Sequence, residues 1–139
     1  MKYTIVTALL VLTLSIAGTA QLGSSDKILA SVPFDFVAWN TTIPAGDCVV
    51  ERVTRNPSVL TIGNFHANTS TLTMTMPDRE KKASGKYSLV FHKYGNRHFL
   101  REIRTADGTV YKLSESKLER EMLALNQTPQ EEILLASAK

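Results

Sequence analysis

"KYSLVFHKYGNRHFLREIRT", Lys86–Thr105, is the stretch whose reading decides the fold. Its two arms, "KYSLVFHKY" and "HFLREIRT", are rich in strand-forming residues and flank a Gly-Asn, the punctuation of a hairpin. A three-residue loop, Gly95-Asn96-Arg97, pairs Tyr94 with His98, His92 with Leu100, Phe91 with Arg101, Val90 with Glu102 and Leu89 with Ile103. This register collects Leu89, Phe91, Phe99 and Ile103 on one face. A shift by one would set Phe91 against Glu102, so side-chain sorting selects the first arrangement. Arg101 is the odd member of the apolar face; a barrel rim or a buried carboxylate would accommodate it. His92, Tyr94 and His98 fall on the opposite face, with Glu102 diagonal to His92.

Period-two patterning continues outward from this hairpin. In "ILASVPFDFVAW", Val32, Phe34 and Phe36 share one side, and Pro33, which has no backbone donor, suits an edge or a bulge. "DCVVERV" and "VLTIGNF" follow as strands between the turns "NTTIPAG", "RNPS" and "HANTS". "TLTMTMP" alternates most cleanly, with Leu72, Met74 and Met76 on one face and threonines on the other. Beyond the charged loop "DREKKASG" and the hairpin, Asp107-Gly108 marks a further turn into "VYKL". Short strands at this spacing predict a mainly β fold: a single small antiparallel β-barrel or sandwich of seven to eight strands. Phe34, Phe36, Leu72, Met74 and Phe91 are the expected lining of its interior.

The C-terminal part changes period. Ser116 followed by Glu119 has the capping-box spacing, and Leu118, Met122 and Leu125 recur as on one helix face. This predicts one amphipathic helix at about 117–125 that lays its apolar face on the sheet or plugs a barrel end. The segment 131–137, within "EEILLASAK", reads either as a second helix or as a last strand closing the sheet, with the strand preferred.

The first 20 residues have another layout: a basic start at Lys2, an apolar run from about Ile5 to Ala17, then small residues at Gly18 and Ala20. That is a secretory signal peptide, cleaved between Ala20 and Gln21. The run is shorter than the ~20 residues of a bilayer span, so no stable membrane span is expected after cleavage. Residues 21–27 read as a flexible leader and 28–139 as one β domain. The expected localisation is secreted or periplasmic. Of 139 residues, 43% are hydrophobic and 21% charged, as in a folded globular chain. The formal net charge of +3, together with export, argues against nucleic acid as a partner. The single cysteine, Cys48, cannot form an intramolecular disulfide, and beside Val49 and Val50 it reads as a small buried apolar residue.

Three stretches carry a resemblance: "VPFDFVAWNTTIPAGDCVVERV", "YSLVFHKYGNRHFL" and "LSESKLERE". Their content and order resemble a group of small, exported, uncharacterised bacterial proteins of acidobacterial type. The group's pattern runs Pro-Phe-Asp-Phe, Leu-Pro-Ala-Gly-x-Tyr, Val-Phe-His-Arg-Tyr-Gly and Ser-x-x-Glu-Arg-Glu. The resemblance covers most of the mature chain and implies an exported, mainly β domain; it carries no mechanism. Ile43 departs from the pattern's leucine, Cys48 from its tyrosine and His98 from its usual aromatic. The last two weaken a nucleophilic Cys48 and a paired role for His92 and His98.

No motif for chemistry stands out. His66, His92 and His98 lack the short spacings that place two metal ligands together, and there is no Cys-x-x-Cys and no Gly-x-Ser-x-Gly. No catalytic residue, metal or cofactor is assigned. Asp35, Glu51 and Glu102 could serve a small hydrolase only if strand carboxylates converged. Charge is unevenly spread: Arg79–Arg104 is strongly basic, and Glu115–Glu132 is acidic. The candidate recognition surface is therefore the hairpin, with His92, Lys93, Tyr94, Arg97, His98 and Arg101. The leading expectation is a non-enzymatic envelope binding or structural domain that holds an apolar small molecule. The alternative is an interaction domain whose basic hairpin meets an anionic polysaccharide, lipid headgroup or envelope protein. Asn40, Asn68 and Asn126 head Asn-x-Ser/Thr triplets, which the Thr-rich composition explains.

Overall fold

A computed structural model describes residues 27–53 and 55–139. The expected signal peptide, its expected Ala20/Gln21 junction and the expected leader up to residue 26 lie outside the described residues. In chain order the elements are β1 (Lys27–Val32), β2 (Phe36–Ala38), β3 (Thr41–Ile43), β4 (Gly46–Val53), β5 (Asn56–Asn64), β6 (Thr69–Arg79), β7 (Tyr87–Tyr94), β8 (Arg97–Arg104), β9 (Thr109–Leu113), α1 (Lys117–Ala124) and β10 (Gln130–Ala138). Eight of the strands close into an antiparallel barrel in the order β1-β4-β5-β6-β9-β8-β7-β10, with β10 returning to β1. Closure removes the free edges that an open sheet would expose.

The ambiguous C-terminal segment is thus a strand. β10 fills the gap between β7 and β1, and only an extended chain supplies backbone partners to both. The β2–β3 hairpin lies beside the closed ring. β9 reaches β8 only at Glu102–Arg104, so the first part of β8 has a vacant edge. β2 takes it in parallel, with Phe36 opposite His98 and Val37 opposite Phe99. The long alternating segment expected around Pro33 is therefore divided. β1 ends at Val32, and Pro33–Asp35 form a bend that delivers Phe34 to the barrel end.

Inward side chains pack a core that includes Val32, Phe36, Ile43, Val50, Ile62, Leu89, Phe91 and Ile103. At one end Phe91 meets Phe34 and Phe36 edge-on, with ring centroids 5.1 and 5.2 Å apart. β6 corrects a sequence expectation. Leu72, Met74 and Met76 point outward at 63%, 71% and 64% exposure, while Thr73 and Thr75 are buried. The neighbouring strands decide this parity. Buried Leu60 on β5 pairs with Thr73, and buried Leu113 on β9 pairs with Thr75, so the threonines share the inner side. The Thr75 hydroxyl donates to the Ser58 carbonyl at 2.8 Å, which satisfies a buried polar group.

The turns follow local chemistry. Gly95, at φ 59°, opens a two-residue β7–β8 turn, and Gly108, at φ 90°, completes the β8–β9 turn. Asn68 and Asn126 both take left-handed backbone, at φ 50° and 58°, a conformation that asparagine tolerates better than most residues. Asn126 closes α1: its N–H donates to Leu123 O, and that of Gln127 to Met122 O, the paired bonds of a Schellman end. The Ser116 hydroxyl caps the other end by accepting the Glu119 N–H at 3.0 Å.

Candidate functional site

The hairpin register differs from the sequence expectation. Tyr94 pairs with Arg97 across a two-residue Gly95-Asn96 turn, His92 with Phe99, and Phe91 with Leu100. A bulge between Val90 and Phe91 then restores the expected pairs, Val90 with Glu102 and Leu89 with Ile103, leaving Arg101 as the extra residue. The bulge shifts the outer half of β8 by one. Leu100 and His98 turn inward in place of Phe99, and Phe99 turns outward with His92 and Tyr94.

The six candidate recognition residues are consequently divided. Arg97 is exposed at the tip and Lys93 is half-buried. His98 is buried on the inner side, where its ring stacks on Phe34 at 3.6 Å between centroids. Its Nε2 lies 3.3 Å from a Glu132 oxygen, and its Nδ1 is buried without a partner. His92, Tyr94 and Arg101 gather beneath α1 around Glu119, which is 1% exposed. The Tyr94 hydroxyl donates to Glu119 Oε1 at 3.1 Å, and His92 Nδ1 lies 3.2 Å from the same oxygen. Arg101 Nη1 donates to Oε2 at 3.2 Å.

The apolar stripe seats the helix only in part, with Leu118 and Met122 half-buried. Leu125 is 70% exposed, and the buried side chain of α1 is Glu119. The sequence marked Glu119 as a capping-box partner. Its carboxylate instead reaches the outer face of the barrel, because the bulged Arg101 brings a cation there. Arg101 does meet a buried carboxylate, but on the outer face under α1 and not on the apolar inner face. Burial, together with the Glu119 charge and hydrogen bond, pushes the Tyr94 hydroxyl up to about 12.

The strand carboxylates do not converge. Asp35 accepts the Ala45 N–H at 2.9 Å, Glu51 pairs with Lys27 at 2.7 Å, and Glu102 pairs with Arg104 at 2.7 Å. Among the described residues, no three His, Cys, Asp or Glu side chains are grouped to hold a metal ion. Also among the described residues, no helix is long and apolar enough to cross a membrane.

Cys48 is buried, and burial raises its thiol to about 12 against the opposing effect of a backbone hydrogen bond from Gly63. At pH 8 only about one thiol in 10,000 would then be thiolate, the reactive species. Native protein should react with Ellman's reagent at least about 100-fold more slowly than protein in denaturant; equal rates would refute the burial. The same shifts set an alkaline limit. An unfolded chain releases the Cys48 and Tyr94 protons from about pH 9 and 10, whereas the folded chain holds them to about 12. These two groups should therefore add no pH dependence below about pH 9 and an increasing loss of stability as pH rises toward 12.

A cavity of about 180 Å³ opens at the barrel end away from Phe34. Its floor is apolar, made by Ile28, Val50, Leu60 and Ile103. Tyr87, Tyr111, Arg52 and the β8–β9 turn residues Thr105, Asp107 and Thr109 form its walls and mouth. Asp107 accepts hydrogen bonds from the Thr105 hydroxyl and, at 3.0 Å, from the Thr109 N–H. These hold its carboxyl down at about 2. Sequence reading missed this site because half of its lining comes from β1, β4, β5 and β7, and the other half alternates along Ile103–Tyr111, where polar and apolar residues are mixed. Its one local signal was the Asp107-Gly108 turn.

Comparisons with protein-family models, curated protein sequences and solved structures return no match. The chemistry of the cavity is therefore the ground for a functional reading.

Proposed function

We propose that this protein is an exported, non-enzymatic barrel of the cell envelope that holds a small apolar molecule. The cavity is the observation that carries the reading. Its volume of about 180 Å³ exceeds the ~150 Å³ apolar cavity that admits benzene, so a ring or short alkyl body fits. Small barrels are built to enclose such ligands, with apolar walls for the body and a few polar groups at the mouth. Two features favour holding over transforming. The Glu119 oxygens are taken up by Tyr94, His92 and Arg101 under α1, on the outer side of β7 and β8. Asp107 is held as an ionised acceptor by its own turn. Export rests on the N-terminal signal layout.

Indole serves as a neutral probe. At ten times its Kd it should stabilise the folded protein by about 1.4 kcal/mol, visible as a rise of several degrees in Tm. Thr109→Trp, at the half-buried mouth, should abolish that rise while leaving the ligand-free protein folded. Neutral ring probes that leave Tm unchanged at millimolar concentration would refute the reading.

A further inference from the structure

We propose that the ligand of this cavity is an amphipathic anion, with its apolar body on the Ile28–Val50–Leu60–Ile103 floor and its negative head at a cationic rim. The inference rests on the carrier reading above and names the class of molecule carried.

The fold brings the basic segment of the sequence to the cavity mouth. Arg79, the last residue of β6, pairs with cavity-lining Thr109. Lys86 directly precedes cavity-lining Tyr87. Lys81 and Lys82 lie in the β6–β7 connection, which is drawn over the β8–β9 turn by two backbone bonds: Glu80 N–H to Gly108 O at 2.9 Å and Gly85 N–H to Ala106 O at 3.2 Å. Arg52 lines the cavity itself.

Three of the four acids nearby are paired with cations. A Glu80 oxygen lies 3.5 Å from Arg104, which also holds Glu102 at 2.7 Å. Asp78 pairs with Lys112 at 2.6 Å; Asp107, kept ionised by its bonds from Thr105 and Thr109, is the one negative charge in the lining, and Arg79 offsets it. Among the described residues, Arg79, Lys81, Lys82 and Lys86 are all exposed, and no ion pair is formed by any of them. The mouth therefore presents positive charge beside an apolar hollow, an arrangement that raises the local concentration of anions. A neutral ligand would use only the floor; a cationic one would meet the rim at a cost.

The test compares three probes of one body: indole, indole-3-carboxylate and 3-(aminomethyl)indole, titrated by calorimetry at low salt. The carboxylate should bind about tenfold more tightly than indole, and the amine more weakly. Added salt should erase the preference. The triple variant Lys81→Glu, Lys82→Glu, Lys86→Glu alters exposed side chains only; it should remove the preference and leave indole binding intact. Thr109→Trp should abolish binding of all three. Equal affinity for indole and its carboxylate would overturn this inference and leave the carrier reading standing. Carboxylate binding that survives Thr109→Trp would also overturn it, by placing the anion on surface charge alone. Failure of every probe would remove the carrier reading itself.

Discussion

Glu119→Ala should destabilise the protein by about 3–5 kcal/mol, the range for removing one partner of a buried ion pair. The carboxylate is 1% exposed and sits 3.2 Å from an Arg101 guanidinium whose side chain is only 18% exposed. Alanine would leave that guanidinium facing a hole, with only the Glu115 carboxylate 4.0 Å from its Nη2 and its Nε already buried and unpartnered. The Tyr94 hydroxyl would lose its acceptor as well. Domains of this size are stable by about 5–15 kcal/mol, so the variant should remain folded with a greatly reduced margin. Urea unfolding would measure the loss. Glu119→Leu combined with Arg101→Met should recover much of it, because the cost lies mainly in the stranded charge. A loss below about 1 kcal/mol for Glu119→Ala would show that the pair is solvated and that α1 is held by other contacts.

Phe91→Ala should have a comparable effect, about 3–5 kcal/mol, for a different reason. The ring is fully enclosed and meets Phe34 and Phe36 edge-on at 5.1 and 5.2 Å. Truncation removes a large apolar surface from the core and leaves a void between strands that the closed ladder holds in place. Met74→Ala is the matched control. Met74 is 71% exposed on β6, so its truncation should change stability by no more than about 0.5 kcal/mol. A large loss for Met74→Ala with a small one for Phe91→Ala would restore the parity that the sequence alone implied for β6.

That reversal of β6 shows where sequence patterning stops. Alternation says that two faces differ; it does not say which face is inside. Along "TLTMTMP" hydrophobicity chose Leu72, Met74 and Met76, but β6 lies between β5 and β9, whose buried Leu60 and Leu113 fix the inner side. The hairpin shows the same limit. Phe91 and Ile103 were legible as core residues, and the Gly-Asn turn as a turn. One bulged residue, Arg101, then moved His98 from the outer face to the inner. A bulge changes parity without leaving a local mark, because its benefit, the meeting of Arg101 with Glu119, comes from a helix 18 residues away along the chain.

Glu119 was legible only in part. Its spacing from Ser116 marked a helix start, and the Ser116 half of the cap forms as expected. The burial of its carboxylate depended on where α1 comes to rest. The cavity was not legible, since five separate segments of the chain, β1, β4, β5, β7 and the stretch Ile103–Tyr111, supply its lining.

The sequence by itself determined the β class, the positions of most turns, the C-terminal helix and the burial of Cys48 and Phe91. These follow from period, turn chemistry and apolarity, which act over a few neighbouring residues. Tertiary structure alone decided the closure of the barrel by β10, the parity of β6, the side of the sheet on which each histidine lies, and the lining of the cavity. These depend on which strands become neighbours and in what register. That pairing is settled by burial and backbone hydrogen bonding summed over the whole ring.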